Sequence, residues 1–177
     1  AAIQSITSIG NKTFYNCYSL NNVTLPNSLT SIGNQAFYNC TSLTDVTIPE
    51  TITGGNIATW AFGACTSLES IELPSKLTSL KKRTFSGCTA LTTVDTGNVT
   101  TIGSEAFAYC TNLSTLEIPY QVEKIGDQFL VCCSNLSKIE VASGNPYYII
   151  KNESLLTADG TTLLVVPAAN KELDETY

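Results

Sequence analysis

Ile6 to Pro26 reads ITSIGNKTFYNCYSLNNVTLP, and Leu29 to Pro49 reads LTSIGNQAFYNCTSLTDVTIP. Most positions of the two stretches are identical or conservative, and the same unit returns four more times. Its Phe falls at Phe14, Phe37, Phe62, Phe85 and Phe107, with Leu130 in the sixth place. Its Cys falls at Cys17, Cys40, Cys65, Cys88, Cys110 and Cys133, in steps of 23, 25, 23, 22 and 23 residues. The units begin near residues 6, 29, 52, 77, 99 and 122. Only the third carries an insertion, two residues around Gly54, Gly55 and Asn56, which belongs in a loop. A fixed period of this length is the signature of an array, because one such unit cannot cover its own apolar face and like units must stack.

Each unit holds two short extended segments and one tight bend. The first is the L-T-S-I stretch. In the second, Val46 and Ile48 alternate with Asp45 and Thr47, as in a strand buried on one face. Pro26, Pro49, Pro74 and Pro119 then stop the strand, since proline lacks the N–H that a ladder needs. The A-F-x-x-C bend is too short for a stable helix and reads as one turn of 3₁₀ or irregular coil that drives Phe and Cys inward. The fold class expected is a mainly β repeat solenoid of stacked parallel strands spanning residues 1–143. A β-hairpin capping module over 144–170 follows, turning at Asp159-Gly160, and then a charged tail over 171–177. No matching cap is visible at the start, where Ala1 to Ser5 enters midway through a unit, so a piece of a longer chain is expected.

The unit IGNQAFYNCTSLTDVTIP resembles the leucine-rich repeats of the BspA-like, or Treponema pallidum, type, and the resemblance covers about Ile6 to Val141. The segment Gly144 to Asn170 looks like the hairpin module that accompanies such arrays. The resemblance implies a secreted or cell-surface protein that acts in adhesion, with a host or neighbouring-cell surface protein or glycan as partner.

The residue before the last apolar position of each main strand should face outward. These residues are Thr24, Thr47, Glu72, Asp95, Glu117 and Glu140, so four consecutive acids form a column. Like charges one strand apart repel, which makes such a column costly unless solvent or a cation relieves it. Beside it runs Asn22, Asp45, Ser70, Thr93, Thr115 and Lys138. A solvated sheet face is one reading. The other is a contact face for a basic or polar partner, with Glu72, Asp95, Glu117, Glu140, Asp45 and Thr47 as the candidate residues. A calcium site is weakly supported, because no loop repeats an Asp-rich pattern.

The repeated Cys reads as a column of free buried thiols, with disulfides between neighbouring coils as the alternative and a metal site disfavoured by the missing CxxC spacing. Cys132 stands outside that column, at the place of Asn16, Asn39, Ala64, Gly87 and Tyr109, and is the thiol expected to be exposed. Lys81, Lys82 and Arg83 form the basic cluster, either a solvated turn or an anion site. Tyr15, Tyr18, Tyr38 and Tyr109 with Trp60 lie around the bends, either as packing or as an aromatic rim. Seven N-x-S/T sites, including Asn11, Asn22 and Asn39, arise largely because the repeat spells them.

Composition narrows the function further. Nine Lys and Arg against 15 Asp and Glu give a net charge of -6, which argues against nucleic acid. No run approaches the roughly 20 apolar residues of a membrane span, so this segment is not expected to insert. The absence of His removes imidazole chemistry, and no nucleophile with its base or enclosed acid pair is apparent. The reading is therefore a binding module rather than an enzyme, without cofactor or metal. The alternative is a structural stalk with no ligand of its own.

Overall fold

A computed structural model describes residues 6–168; the expectations for Ala1 to Ser5 and for Lys171 to Tyr177 lie outside the described residues. The units wind into stacked coils, each with three sides. The first side is a sheet of short parallel strands, β1 (Ser8–Ile9), β3 (Ser31–Ile32), β5 (Ser79–Leu80), β6 (Thr101–Ile102) and β8 (Lys124–Ile125). The second is the main parallel sheet of β2 (Asn22–Thr24), β4 (Asp45–Thr47), β7 (Thr115–Ile118) and β9 (Lys138–Val141). Single bridges carry it through Glu72 and Asp95. The third side is the bend.

Partners in both sheets sit at equivalent positions of consecutive units, as in Val23 with Val46 and Ile102 with Ile125. The period of the sequence is thus the register of the sheets. The third unit's insertion thins the short-strand sheet to single bridges, Ile32 with Ile57 and Gly54 with Leu77, while Ile52 and Ile57 both stay fully buried.

The bend takes the coil form of the two expected, but the coil is regular. Four-residue turns overlap in series, for example Ala36 N–H to Gly33 O, Tyr38 N–H to Gln35 O and Cys40 N–H to Phe37 O. Two residues per coil take positive φ, which a 3₁₀ helix does not. One column is Asn16, Asn39, Ala64, Gly87, Tyr109 and Cys132; the other is Lys12, Gln35, Trp60, Arg83, Glu105 and Gln128. Left-handed backbone costs most residues about 1–2 kcal/mol. Here it aims alternate N–H groups at the next coil: Gln35 reaches Thr59 O, Phe37 reaches Ala61 O and Asn39 reaches Gly63 O, at 2.8–3.0 Å. Each of the first five coils does this, so the bends form a ribbon bonded as continuously as a sheet.

Inside, Phe37, Phe62, Phe85 and Phe107 are fully buried and stack face to face, with ring centroids 5.2–5.8 Å apart. Phe14 joins the stack at 5.0 Å but is only half-buried in the first coil. Leu130 holds the sixth place, and Phe129 beside it fills the position that Ala36, Ala61 and Ala106 hold in other coils. The Cys column is all free thiols. From Cys40 onward each Sγ donates to the Phe carbonyl of the preceding coil, at 3.1–3.2 Å. That position wants a small apolar side chain with a weak donor, which is Cys.

The capping segment is three-stranded: β10 (Tyr148–Lys151), β11 (Ser154–Thr157) and β12 (Leu163–Val165), all antiparallel. The β11–β12 turn is the one expected at Asp159-Gly160, where Asp159 Oδ1 accepts from Thr157 Oγ1 and Thr161 N. The β10–β11 turn was not read from sequence. Asn152 and Glu153 both take positive φ there, the requirement of a two-residue type I′ hairpin. Tyr148 and Leu155 enter the solenoid core. Asn145 Nδ2 donates to Pro119 O and Val122 O, and Tyr148 Oη donates to Glu123 O, so polar bonds seat the cap on the last coil.

Candidate functional site

The main sheet's outer face carries the column of acids as the alternation requires. Val46, Leu116 and Ile139 point into the core, and Asp45, Thr47, Glu72, Asp95, Glu117 and Glu140 are all exposed. Backbone pairing aligns Thr47 with Glu72, Glu72 with Asp95, and Glu117 with Glu140. Among the described residues no bridge joins Asp95 to Glu117. Thr96 stands there in the place of Ile48 and Leu73, buried, and its Oγ1 donates to Glu117 O at 3.2 Å. The sequence signal for this break was available: the fourth unit reads V-D-T-G where others read V-T-I-P.

The acids are not equivalent. Glu140 is paired with Lys138 at 2.5 Å, across two exposed side chains. Asp95 turns back on its own loop, where its Oδ1 accepts the Gly97 N–H at 2.8 Å. Glu72 and Glu117 have no such partner among the described residues. Shallow depressions of about 450 Å³ beside Thr47 and Glu72, and about 370 Å³ among Asp95, Glu117 and Glu140, give the face its relief. No group of three or more Cys, Asp or Glu among the described residues is arranged to hold a metal ion.

Several columns of hydroxyls beside this face hold coils together. Thr30 Oγ1 donates to Thr7 O and Thr100 Oγ1 to Thr78 O; Thr92 bonds Glu69 O, Ser114 bonds Thr92 O and Ser137 bonds Ser114 O. A hydroxyl one coil further along stitches each of these columns. Sequence reasoning missed the ladders, because they join residues 22 to 25 apart that look like ordinary surface Thr and Ser.

The basic cluster and the aromatic residues turn out to be one feature on the ribbon. Tyr15 stacks on Tyr38 at 5.2 Å, and Tyr38 meets Trp60 edge to face at 5.3 Å. Trp60 lies over Gly63, where a Cβ would come within 2.3 Å of its ring, so only glycine leaves it room. The Arg83 guanidinium covers the indole at 4.9 Å and pairs with Glu105 at 2.5 Å. Arg83 is therefore neither a solvated turn residue nor a free anion ligand. Lys82 lies 3.8 Å from the same carboxylate with over half of its side chain exposed.

Among the thiols, Cys132 is exposed, at the edge of an apolar depression of about 670 Å³ between the last coil and the hairpin. Burial pushes the column thiols up, Cys40 and Cys133 to about 11 and Cys65 to about 12, with Cys88 and Cys110 also raised. They are inert hydrophobes at neutral pH.

A family profile described as BspA type leucine-rich repeat region matches the chain in six copies, over residues 2–94 and 53–156. A leucine-rich cell surface protein from Faecalibacterium prausnitzii is 30% identical, with a TM-score of 0.70 over 92% of this chain and 50% of its own. The pneumococcal vaccine antigen PcpA is 27% identical, with a TM-score of 0.72 over 83% of this chain and 36% of its own. A leucine-rich repeat protein from T. pallidum is 28% identical, with a TM-score of 0.51 over 76% of this chain and 51% of its own. The chain spans half or less of the length of the first two. No curated protein matches.

Proposed function

Because the chain belongs to the BspA-type leucine-rich repeat family, we propose that it is an interaction module of a secreted or cell-surface protein, binding a protein or glycan through its main sheet. The observation that carries this is the contrast between columns. The hydroxyl column of Thr92, Ser114 and Ser137 is engaged in coil-to-coil bonds, whereas Glu72 and Glu117 stand exposed with no partner among the described residues. Four acids in line are unfavourable for an isolated sheet and favourable for one that meets a basic surface. Two of the similar structures are described as a cell surface protein and a vaccine antigen, which supports the location.

An open sheet also suits this role better than catalysis, since nothing encloses the carboxylates to set an acid against a base. The test is a quadruple variant, Glu72→Gln, Asp95→Asn, Glu117→Gln and Glu140→Gln, against cell-surface and matrix proteins and glycan arrays. Exposed charge pairs contribute about 0.2–1 kcal/mol each, so four lost pairs, about 0.8–4 kcal/mol together, should weaken a genuine contact at least about fourfold. Unchanged binding to every ligand of the parent surface would remove the acid column as the site. Absence of any ligand would favour the stalk.

A further inference from the structure

Charge is divided between the sides of the solenoid. Acids crowd the main sheet, where Lys138 is the one base among the described residues. On the ribbon of the first five coils, Lys12, Lys81, Lys82 and Arg83 face a single acid, Glu105. The same strip holds the aromatic ladder. Lys12 sits over the Tyr15 ring at 5.3 Å, and the contacts then run through Tyr38 and Trp60 to Arg83 with spacings of 5.2, 5.3 and 4.9 Å. Tyr15 is 38% exposed, Lys12 is exposed, and Tyr38 and Trp60 are partly open. We infer that this strip is a second interaction surface, separate from the main sheet, and that it takes an anionic polysaccharide laid along the solenoid axis.

Three observations fix the partner's chemistry. First, the strip is locally cationic on a chain of net charge -6, so an anionic partner is drawn to it and turned away from the sheet. Second, between coils the ribbon's main chain is already paired. Lys12 N–H, Phe14 N–H and Asn16 N–H already bond Asn34, Ala36 and Tyr38 carbonyls, and the next coils repeat this. An extended peptide would gain no strand-like pairing there, and recognition falls to side chains. Third, the side chains present suit a polyhydroxylated chain. The Tyr15 and Tyr38 rings stack on each other, which turns their edges rather than their faces outward. The phenolic oxygens of both have no hydrogen-bond partner among the described residues, and Asn39 Nδ2 bonds Asn16 Oδ1 beside them. Amides and phenols at one-coil intervals meet sugar hydroxyls, while Lys12 and Lys82 meet carboxylates or sulfates at either end. Arg83, held by Glu105, serves to fix Trp60.

The chain has a single Trp, and it lies in the strip, so its emission reports on this surface alone. The probe is a short oligogalacturonate; its fully methyl-esterified form supplies the same backbone without charge, and hexaglutamate supplies the charge on a peptide. The expected result is a saturable change in Trp60 emission with oligogalacturonate that weakens at least tenfold at 300 mM salt. It should also weaken at least tenfold in Lys12→Gln/Lys82→Gln. The quadruple main-sheet variant should bind as the parent does, which separates this surface from the one proposed above. No saturable change, equal binding of the methyl ester, or equal or tighter binding of hexaglutamate would each overturn the proposal. So would unaltered affinity in the double Gln variant. Should that variant misfold, the salt series and the methyl ester on the parent chain decide the question.

Discussion

Replacing Phe62 by Ala should cost far more than replacing Phe14 by Ala, although the two residues are copies of one position. Phe62 is fully buried between Phe37 at 5.2 Å and Phe85 at 5.7 Å, so its removal opens a cavity against both neighbouring coils. Buried Phe→Ala changes cost about 3–5 kcal/mol. Phe14 has one ring neighbour among the described residues, at 5.0 Å, and is already half-open to a depression lined by Ile6, Ile9 and Leu25. Its loss should cost about half as much, because only one interface weakens. Urea denaturation followed by far-UV circular dichroism measures both. With a slope of about 2 kcal/mol/M, Phe62→Ala should move the midpoint by roughly 1.5–2.5 M and Phe14→Ala by about half of that. Phe62→Leu should be mild, since Leu130 already serves in the sixth coil. Equal costs at the two Phe positions would refute the layered stack as the source of stability.

Other consequences are as direct. Gly63→Ala should destabilise by about 1–3 kcal/mol and expose Trp60, seen as a red-shifted emission, because its Cβ would meet the indole at 2.3 Å. Brief alkylation of the folded chain at pH 8 should label Cys132 while sparing Cys65, Cys88 and Cys110; labelling of those three without unfolding would contradict their burial. The column thiols are raised from 9.0, so the unfolded chain ionises first as pH climbs. Stability is then fully present below pH 9 and falls between 9 and about 11 to 12, by about 1.4 kcal/mol per pH unit for each thiol involved, which denaturation at pH 8 and 10 would register. Glu153→Gly, at a positive φ of 61° in the β10–β11 turn, should stabilise by about 0.4–1 kcal/mol; a loss of stability would dispute the type I′ geometry.

Sequence alone determined the solenoid, the strand faces, the Phe and Cys columns, and the exposure of Cys132 and of the acids. Each follows from a local rule applied at a fixed period: alternation sets the face, proline ends the strand, and equal spacing stacks like on like. Tertiary structure decided what lies between coils. The positive-φ ribbon, the hydroxyl ladders and the placing of Trp60 over Gly63 and under Arg83 depend on groups 22 to 25 residues apart meeting at hydrogen-bond or van der Waals distance. A consensus unit shows which residue recurs at a position, but not which atom of the neighbouring coil it touches. The departures from consensus at Thr96, Trp60 and Arg83 therefore acquired their roles only when the coils were stacked.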